Sequence, residues 1–364
     1  MKLLNTCFLV WIPLILGSQM GQLFGQNSFD KAKLLIKQAQ YRPALEELNR
    51  WKGDISTVST LDQLEWSNAL AEVHLKLAAF DSVRIYLDYP AQWKSLSTDA
   101  YPSAILEKYL LELDWALAKK EERRIAEILQ KLDQLIPKIS PERFAELELK
   151  KVRLHIINAE LQTARERLEN LQKQEADLSD FQKGAYFFEW GLYALFDREL
   201  EARMQKSLDA FLKAETYYKK SLPPTHPSIA LTYSYQSYPY RGLDMVKEAL
   251  ESNKKAIEIQ EQILGSGHPN LAISYYYYAN ILNLIKDHAS AAKYAEQAIQ
   301  IYKKSAGPEY ERIEAHTLGN FYGSLGTAYR GMREARKART AFGQALEYYQ
   351  VPPPYRQIDQ HYYN

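Results

Sequence analysis

Cysteine is almost absent from this sequence of 364 residues, because Cys7 is its only copy. Since we expect Cys7 to be removed with the N-terminal segment, disulfides, thiolate catalysis and cysteine-based metal sites are excluded together. An excess of one charge is also lacking, with 46 basic and 45 acidic residues. The chain therefore carries no strong electrostatic signal for nucleic acid or a membrane surface. Proline and glycine, at 15 copies each, are too few for a loop-rich β-protein, and the composition favours helices.

The first 25 residues are typical of a secretory signal peptide. Lys2 supplies a positive charge, and an apolar run of ten residues extends from Cys7 to Leu16. This run is shorter than the ~20 residues that cross a bilayer. We expect cleavage near Gly25, a mature chain that begins near Gln26, and a periplasmic or secreted location without a stable membrane span. The alternatives are a membrane anchor or a mis-assigned start.

A repeat is visible in the second half of the chain. The pair His226-Pro227 recurs as His268-Pro269 at a spacing of 42 residues, and such fixed self-similarity indicates a repeat architecture. Proline suits the first turn of a helix, so each pair predicts a helix start with histidine at or beside the N-cap. A second helix follows in each copy, and small residues such as Ala298 let it pack closely on the first.

The last copy has a small–aromatic–small pattern at Gly326, Tyr329, Ala338, Phe342 and Ala345. With this pattern, residues 185–350 resemble the tetratricopeptide repeat, and the 42-residue period with its His-Pro start is similar to the kinesin-light-chain-type variant. Two copies depart from the pattern, with Asn253 and Ala295 where an aromatic residue is usual. The resemblance implies an all-α fold, a right-handed α-solenoid of antiparallel helix pairs, whose concave groove binds a peptide or protein.

The N-terminal half contains weaker copies of the same unit. Small residues expected on second helices recur at spacings of 38 to 47 residues, at Ala44, Ser82, Ala126, Ala164, Ser207, Ala249, Ala291 and Ala338. We therefore predict up to eight helix pairs, the first four degenerate. The predicted domains are a signal peptide at 1–25, degenerate hairpins at 26–180, an array of about four repeats at 181–350 and a proline-rich tail at 351–364. The alternative is a separate helical domain ahead of a four-repeat array.

Four consecutive tyrosines, Tyr275 to Tyr278, cannot all face one side of a helix that turns ~100° per residue. Tyr275 and Tyr278 fall on one apolar stripe, which predicts packing on the second helix of the same pair. Trp190 is aligned with Tyr275 in an earlier copy. We therefore expect these rings to be structural.

Tyr276 lies on another side of the helix, and in a tetratricopeptide solenoid this side lines the concave groove. Positions on this side carry Tyr, Asn and Arg in neighbouring copies. These side chains suit peptide recognition, because amides bond an extended backbone and arginine pairs with carboxylates. The alternative is that they are only solvated or contact the next repeat. The predicted partner-binding residues are Tyr238, Arg241, Tyr276, Asn280, Asn283, Asn320 and Arg330.

Sequence patterns of catalytic and metal sites are lacking. The seven histidines form no His-Glu-x-x-His pair, and neither a phosphate-binding glycine loop nor a Gly-x-Ser-x-Gly elbow occurs. We predict a non-enzymatic protein–protein interaction scaffold without cofactor or metal, whose partner is a protein or peptide and not nucleic acid. The alternative is a regulatory or recognition subunit of an exported signalling or caspase-like protease system, because similar bacterial repeats often precede a caspase-like domain.

Overall fold

The computed structural model describes residues 28–51, 58–89, 91–119, 121–305 and 315–350. These residues contain sixteen α-helices and no β-strand. They fall in two compact units, the first ending at Lys138 and the second beginning at Ile139. None of the described helices combines the length and apolar character that crossing a bilayer requires. The predicted signal peptide at 1–25 and the tail at 351–364 lie outside the described residues.

The first unit consists of three helix pairs. They are α1 (28–37) with α2 (Tyr41–Trp51), α3 (Thr60–Lys76) with α4 (Phe80–Leu87), and α5 (Pro102–Lys119) with α6 (Glu122–Leu135), with short 3-10 turns at Ala91–Ser95 and Ile136–Lys138. Ser59 caps α3, since its hydroxyl accepts the N–H of Asp62 at 3.2 Å. The indole N–H of Trp66 donates to the carbonyl of Leu48 at 3.1 Å, which joins α3 to α2.

The second unit consists of five helix pairs. They are α7 (Pro141–Ile157) with α8 (Leu161–Gln172), α9 (Asp180–Phe196) with α10 (Arg203–Ser221), α11 (Pro227–Gly242) with α12 (Val246–Leu264), α13 (Pro269–Leu284) with α14 (His288–Ser305), and α15 (Ala315–Gly331) with α16 (Ala335–Tyr349). The two helices of a pair pack on each other, and α10, α12 and α14 also pack on the first helix of the next pair. The predicted fold class, an all-α solenoid of antiparallel helix pairs, is confirmed.

Small side chains let the two helices of a pair approach closely, and in two pairs an aromatic ring packs against a glycine, as the repeat pattern predicts. Ala298 on α14 is fully buried. In the last pair, a Cβ added to Gly326 would meet the Phe342 ring at 2.6 Å, so only glycine lets the two helices approach this closely. A Cβ added to Gly191 of α9 would likewise meet the Phe211 ring of α10, at 2.5 Å.

The two His-Pro pairs start helices, as predicted. His226 and His268 are the N-caps of α11 and α13, and each is followed by proline in the first turn. The ring Nδ1 of His226 accepts the N–H of Ser228 at 3.2 Å, and that of His268 accepts the N–H of Asn270 at 3.1 Å. Each ring thereby satisfies a backbone donor that has no partner inside its helix.

Most turns inside pairs depend on a residue other than glycine in the left-handed conformation. Lys286 follows α13 with φ 64°. The next N–H, of Asp287, bonds to the carbonyl of Leu282 at 3.0 Å and closes the end of the helix. Only glycine adopts this conformation without steric cost, so these turns carry backbone strain. The equivalent residues are Ala39, Ala78, Ala159, Asp244 and Arg333.

The alignment of the copy at α9 with the later copies is wrong. Trp190 was aligned with Tyr275, but the contacts place Phe187 in that position. Phe187 stacks on Tyr217 with 5.6 Å between the ring centroids. Tyr322, which the repeat aligns with Tyr275 in the last pair, stacks on Tyr348 at the same distance. The cause is the turn between α9 and α10, which has six residues, whereas the other turns inside pairs of this unit have three.

The sequence-based boundary between residues 180 and 181 separates weak copies from clear ones, and it stays a prediction. The two compact units divide elsewhere, between Lys138 and Ile139. The pair α7 and α8 therefore belongs to the second unit, although its sequence is a weak copy. One reason is visible in the side chains: Arg153 of α7 makes an ion pair with Glu189 of α9, with a closest N–O distance of 2.7 Å.

Candidate functional site

Two of the four consecutive tyrosines face the second helix of their own pair. Tyr275 and Tyr278 pack on Tyr294 of α14, with centroid distances of 5.3 Å and 4.9 Å. The Tyr275 hydroxyl donates to Glu261 of α12 at 2.6 Å. Burial and this carboxylate raise the pKa of Tyr275, so the hydroxyl remains a donor. The predicted packing of these two rings is confirmed.

Tyr276 does not face an open groove, and the sequence-based prediction for this side chain is wrong. The residue is 3% exposed, and its ring lies 4.9 Å from that of Phe321 on α15. A rotation of ~100° from the Tyr275 stripe directs the side chain toward the first helix of the next pair rather than toward solvent. Tyr276 therefore belongs to the core between α13 and α15.

Tyr277 points back toward the preceding pair. Its ring contacts Tyr238 of α11 edge to face, with 4.7 Å between centroids, and Tyr238 lies 6.1 Å from Tyr235. All three are half-buried, and Tyr235, Tyr238 and Tyr277 are termed the tyrosine row. The Arg241 guanidinium lies 5.7 Å from the centroid of the Tyr238 ring. The row thus leaves parts of several rings accessible beside a cation.

Two predicted binding residues hold neighbouring helices together. Asn283 donates its amide N–H to the carbonyl of Ser324 on α15 at 3.1 Å. Asn320 of α15 accepts the hydroxyl of Tyr349 on α16 at 2.6 Å. Their amide groups are therefore engaged inside the repeat array, and a partner would have to compete with these bonds.

The remaining predicted residues are distributed along the first helices. Arg330 is exposed at the end of α15, with its guanidinium 5.9 Å from the centroid of the Phe342 ring, and Asn280 is half-buried on α13. Of the seven predicted residues, Tyr238 and Arg241 come together, because both line one cleft in the second unit.

This cleft has a volume of about 1020 Å³ and lies where the turns of successive pairs meet. Its walls are the α7–α8 turn, the start of α8, the end of α9, the loop 197–202, the first turns of α10 and the end of α11. The three additional residues of that loop, relative to the other turns inside pairs of this unit, form one wall. The cleft is at the upper end of the range of about 300–1,000 Å³ that is usual for ligand pockets.

Positive side chains outnumber negative ones in the cleft. The cations are Arg165, Arg198, Arg203, Lys206 and Arg241, and the carboxylates are Asp197, Glu199 and Glu201. Arg165 pairs with Glu169 at 2.8 Å. Among the described residues, no carboxylate lies within ion-pair distance of Arg203, Lys206 or Arg241. These three cations are therefore available to a ligand.

Asp197 is engaged within its own segment of the cleft wall. It accepts the Tyr193 hydroxyl at 2.7 Å and the backbone N–H of Glu199 at 3.1 Å. Burial and the bond to Asp197 raise the pKa of Tyr193 to about 12, so this donor is kept at neutral pH. The part of the chain that the structure describes holds no group of three or more side chains that could bind a metal ion.

The contribution of α10 to the cleft was missed in the sequence. Arg203 and Lys206 were not predicted, because the length of the preceding turn was not recognised. A signal was available in the glycine contacts: Gly191 and Phe211 are 20 residues apart, whereas Gly326 and Phe342 are 16 apart. The spacing differs by four residues, and the longer turn accounts for three of them.

The comparisons with known proteins support the fold. Residues 228–304, which lie in α11 to α14, match the family described as Tetratricopeptide repeat, so the resemblance is confirmed for these two pairs. No curated protein matches the chain.

Solved structures of helical repeat proteins are similar to most of the chain. A Rap protein complexed with Competence and Sporulation Factor has a TM-score of 0.55 at 12% identity, over 90% of this chain and 98% of that one. NprR in complex with its cognate peptide NprX has a TM-score of 0.50 at 19% identity, over 67% and 66%. A kinesin light chain repeat protein from Podosopora anserina has a TM-score of 0.46 at 20% identity, over 58% and 96%. At these identities the similarity concerns the fold alone.

Proposed function

We propose that the chain is a non-enzymatic interaction scaffold, which binds a peptide or an extended segment of a partner protein at the first helices of the second unit. The tyrosine row beside Arg241 carries this proposal. Tyrosine and arginine are enriched among the residues that contribute most to binding, and here both are partly accessible on one surface. A solenoid surface of this kind recognises a ligand by shape and polar contacts and needs no reactive group.

Similar structures support a peptide as the ligand. The NprR structure, which shares the fold with a TM-score of 0.50, contains the peptide NprX. A peptide fits the present surface for a physical reason as well. An extended chain offers backbone donors and acceptors along its length, and its side chains can pack between successive rings of the row.

We further propose that the protein is exported, with residues 1–25 acting as a cleaved signal peptide. The support is the positive charge at Lys2 and the apolar run of ten residues from Cys7 to Leu16. Intact mass of the protein purified from its source is expected to show a chain that begins near Gln26. Retention of Met1 to Leu16 on an exported chain would contradict cleavage.

Site-specific photo-crosslinking tests the scaffold function. Asn280 occupies the position on α13 that Tyr238 occupies on α11, 42 residues earlier, and it is half-buried. A photo-reactive residue at position 280, irradiated in an extract of the source organism, is expected to form a defined adduct with a partner. Lys293 on α14 is exposed and is the matched control position. Equal adducts from both positions, or none from position 280, would refute binding at the first helices.

A further inference from the structure

The three cations without carboxylate partners come from two separate elements around the cleft. Arg203 and Lys206 lie in the first turns of α10, and Arg241 lies in the last turn of α11. Cations near the start of a helix face the positive end of its dipole, which is an unfavourable place for them. Among the described residues they gain no carboxylate partner in return. A negatively charged ligand in the cleft would relieve this unfavourable electrostatic arrangement.

We infer that the cleft binds an acidic peptide segment of a partner protein. This inference rests on the proposed function and gives the chemistry of the ligand. Carboxylates of the segment meet Arg203 and Lys206 on one wall and Arg241 on the other. An arginine offers a carboxylate two parallel hydrogen bonds, which fixes the orientation of the ligand as well as its charge.

The tyrosine row explains why the ligand is a peptide and not a free small anion. Tyr238 lines the cleft and also belongs to the row, so a segment held in the cleft can continue onto the rings of Tyr238 and Tyr277. A volume of about 1020 Å³ is large for a single small anion. A small anion would engage the cations and leave both the volume and the rings unused.

The charge of the whole chain argues against a polyanion such as nucleic acid. With 46 basic and 45 acidic residues, the chain has no general attraction for phosphate backbones. The positive charge is a local property of the cleft. Local charge on an otherwise balanced surface selects for a short acidic segment and guides its approach.

Fluorescence anisotropy with synthetic peptides tests the inference on the full-length chain. The probe is a short labelled peptide of alternating glutamate and glycine with a central tyrosine, and its counterpart carries glutamine in place of glutamate. The glutamate peptide is expected to bind and the glutamine peptide to bind at least tenfold more weakly. The affinity for the glutamate peptide is expected to fall as salt increases, because the contacts are screened.

Charge variants assign the binding to the cleft. Lys206→Gln and Arg241→Gln are each expected to lower the affinity for the glutamate peptide about fivefold, the upper range for a partly exposed ion pair. The double variant is expected to lower it further. Lys293→Gln on α14 removes the same charge outside the cleft and is expected to leave the affinity unchanged. Circular dichroism is expected to show equal helix content for all variants. If Lys293→Gln lowers the affinity equally, the binding is general charge attraction and the inference is overturned.

Further arms separate the other possible occupants. Inorganic phosphate is expected to compete only weakly, and strong competition together with loss of the peptide preference would make the cleft a small-anion site. Deletion of residues 351–364 is expected to leave the affinity unchanged. A large gain on deletion would assign the cleft to the chain's own tail. If photo-crosslinking from position 280 captures a partner while the glutamate and glutamine peptides bind equally, the scaffold function stands and the acidic ligand is rejected.

Discussion

The rings of Tyr276 and Phe321 pack against each other with 4.9 Å between their centroids and 31° between their planes. This contact joins the first helices of two adjacent pairs, α13 and α15. Tyr276→Ala is therefore expected to lower the free energy of unfolding by ~3–5 kcal/mol, the usual cost of removing a buried aromatic side chain. Urea denaturation followed by circular dichroism measures the change. Tyr101→Ala, at a residue 39% exposed, is the control and should cost less than ~1 kcal/mol.

A double-mutant cycle separates this contact from the general loss of buried area. Tyr276→Ala and Phe321→Ala together should cost less than the sum of the single changes, with a coupling of ~0.5–1.5 kcal/mol for the ring pair. Strict additivity would show that the two rings stabilise the chain independently. If the Tyr276→Ala protein is as stable as the wild type, Tyr276 faces the open groove and is not a core residue.

Asn253 on α12 is fully buried, and neither its amide nitrogen nor its amide oxygen has a hydrogen-bond partner among the described residues. It occupies the position that Phe211 and Phe342 fill in other pairs. Burying an unsatisfied polar group costs ~1–3 kcal/mol. The isosteric change Asn253→Leu is therefore expected to raise the free energy of unfolding by about 1–2 kcal/mol, measured by urea denaturation.

Two control variants at the same position test the explanation. Asn253→Ala also removes the polar atoms but leaves a void, so it should gain less than Asn253→Leu. Asn253→Asp places an uncompensated charge in the core and should be strongly destabilising. If Asn253→Leu destabilises the chain, the amide has a partner that the structure does not show, and the position serves more than packing.

Lys286 adopts a left-handed conformation with φ 64° at the end of α13. The left-handed conformation has a steric cost of ~1–2 kcal/mol for residues other than glycine, and replacing Lys286 with glycine removes it. Glycine also increases the conformational entropy of the unfolded chain, which offsets part of this gain. Lys286→Gly is therefore expected to stabilise the protein by roughly 0.5–1 kcal/mol in thermal or urea unfolding.

The matched control for Lys286→Gly is the same change inside a helix. Lys293 is exposed on α14, and Lys293→Gly should cost about 1 kcal/mol, because glycine disfavours a helix interior. The two changes in unfolding free energy need not be equal in size, but they must have opposite signs. A loss of stability with Lys286→Gly would show that the lysine side chain contributes more than its backbone costs.

The fold was predictable because the repeat leaves several independent signals in the sequence. The His-Pro pairs predicted the starts of α11 and α13, and buried small residues such as Ala298 marked the second helices. Each signal is local, so it survives without knowledge of the tertiary contacts. The left-handed turns left no such signal, since Lys286 and its counterparts are not glycine.

The candidate site was only partly predictable, because it depends on which elements are neighbours. Helical periodicity correctly placed Tyr275 and Tyr276 on different sides of α13. It could not show whether the Tyr276 side faces solvent or the first helix of the next pair. Tyr238 and Arg241 were predicted from their side of α11. Arg203 could not be predicted to line the same cleft without the true length of the turn before α10, because each residue added to that turn changes which side chains meet.

Lys108 of α5 provides a pH-dependent test in the first unit. The residue is 0% exposed, and its ammonium donates to the carbonyls of Leu87 and, at 3.5 Å, Tyr86 at the end of α4. Burial lowers the pKa of Lys108 from 10.5 to about 8, and the nearby carboxylate of Glu112 opposes this shift only in part. The folded chain therefore loses this proton at a lower pH than the unfolded chain does.

The sign of the effect follows from proton linkage. Below pH 8 both states hold the proton, whereas between about pH 8 and pH 10.5 the unfolded state holds more protons than the folded one. The contribution of Lys108 to the free energy of unfolding therefore rises with pH, by about 1 kcal/mol per pH unit within that window. Lys108→Met keeps a long flexible side chain and removes the titration. The difference in unfolding free energy between wild type and Lys108→Met, measured by urea denaturation, should shift in favour of the wild type as the pH rises through the window. Other titrating groups cancel in this difference, including tyrosines whose pKa values are raised. Parallel pH profiles of the two proteins would mean that Lys108 keeps its ordinary pKa, and that water or a carboxylate reaches its ammonium group.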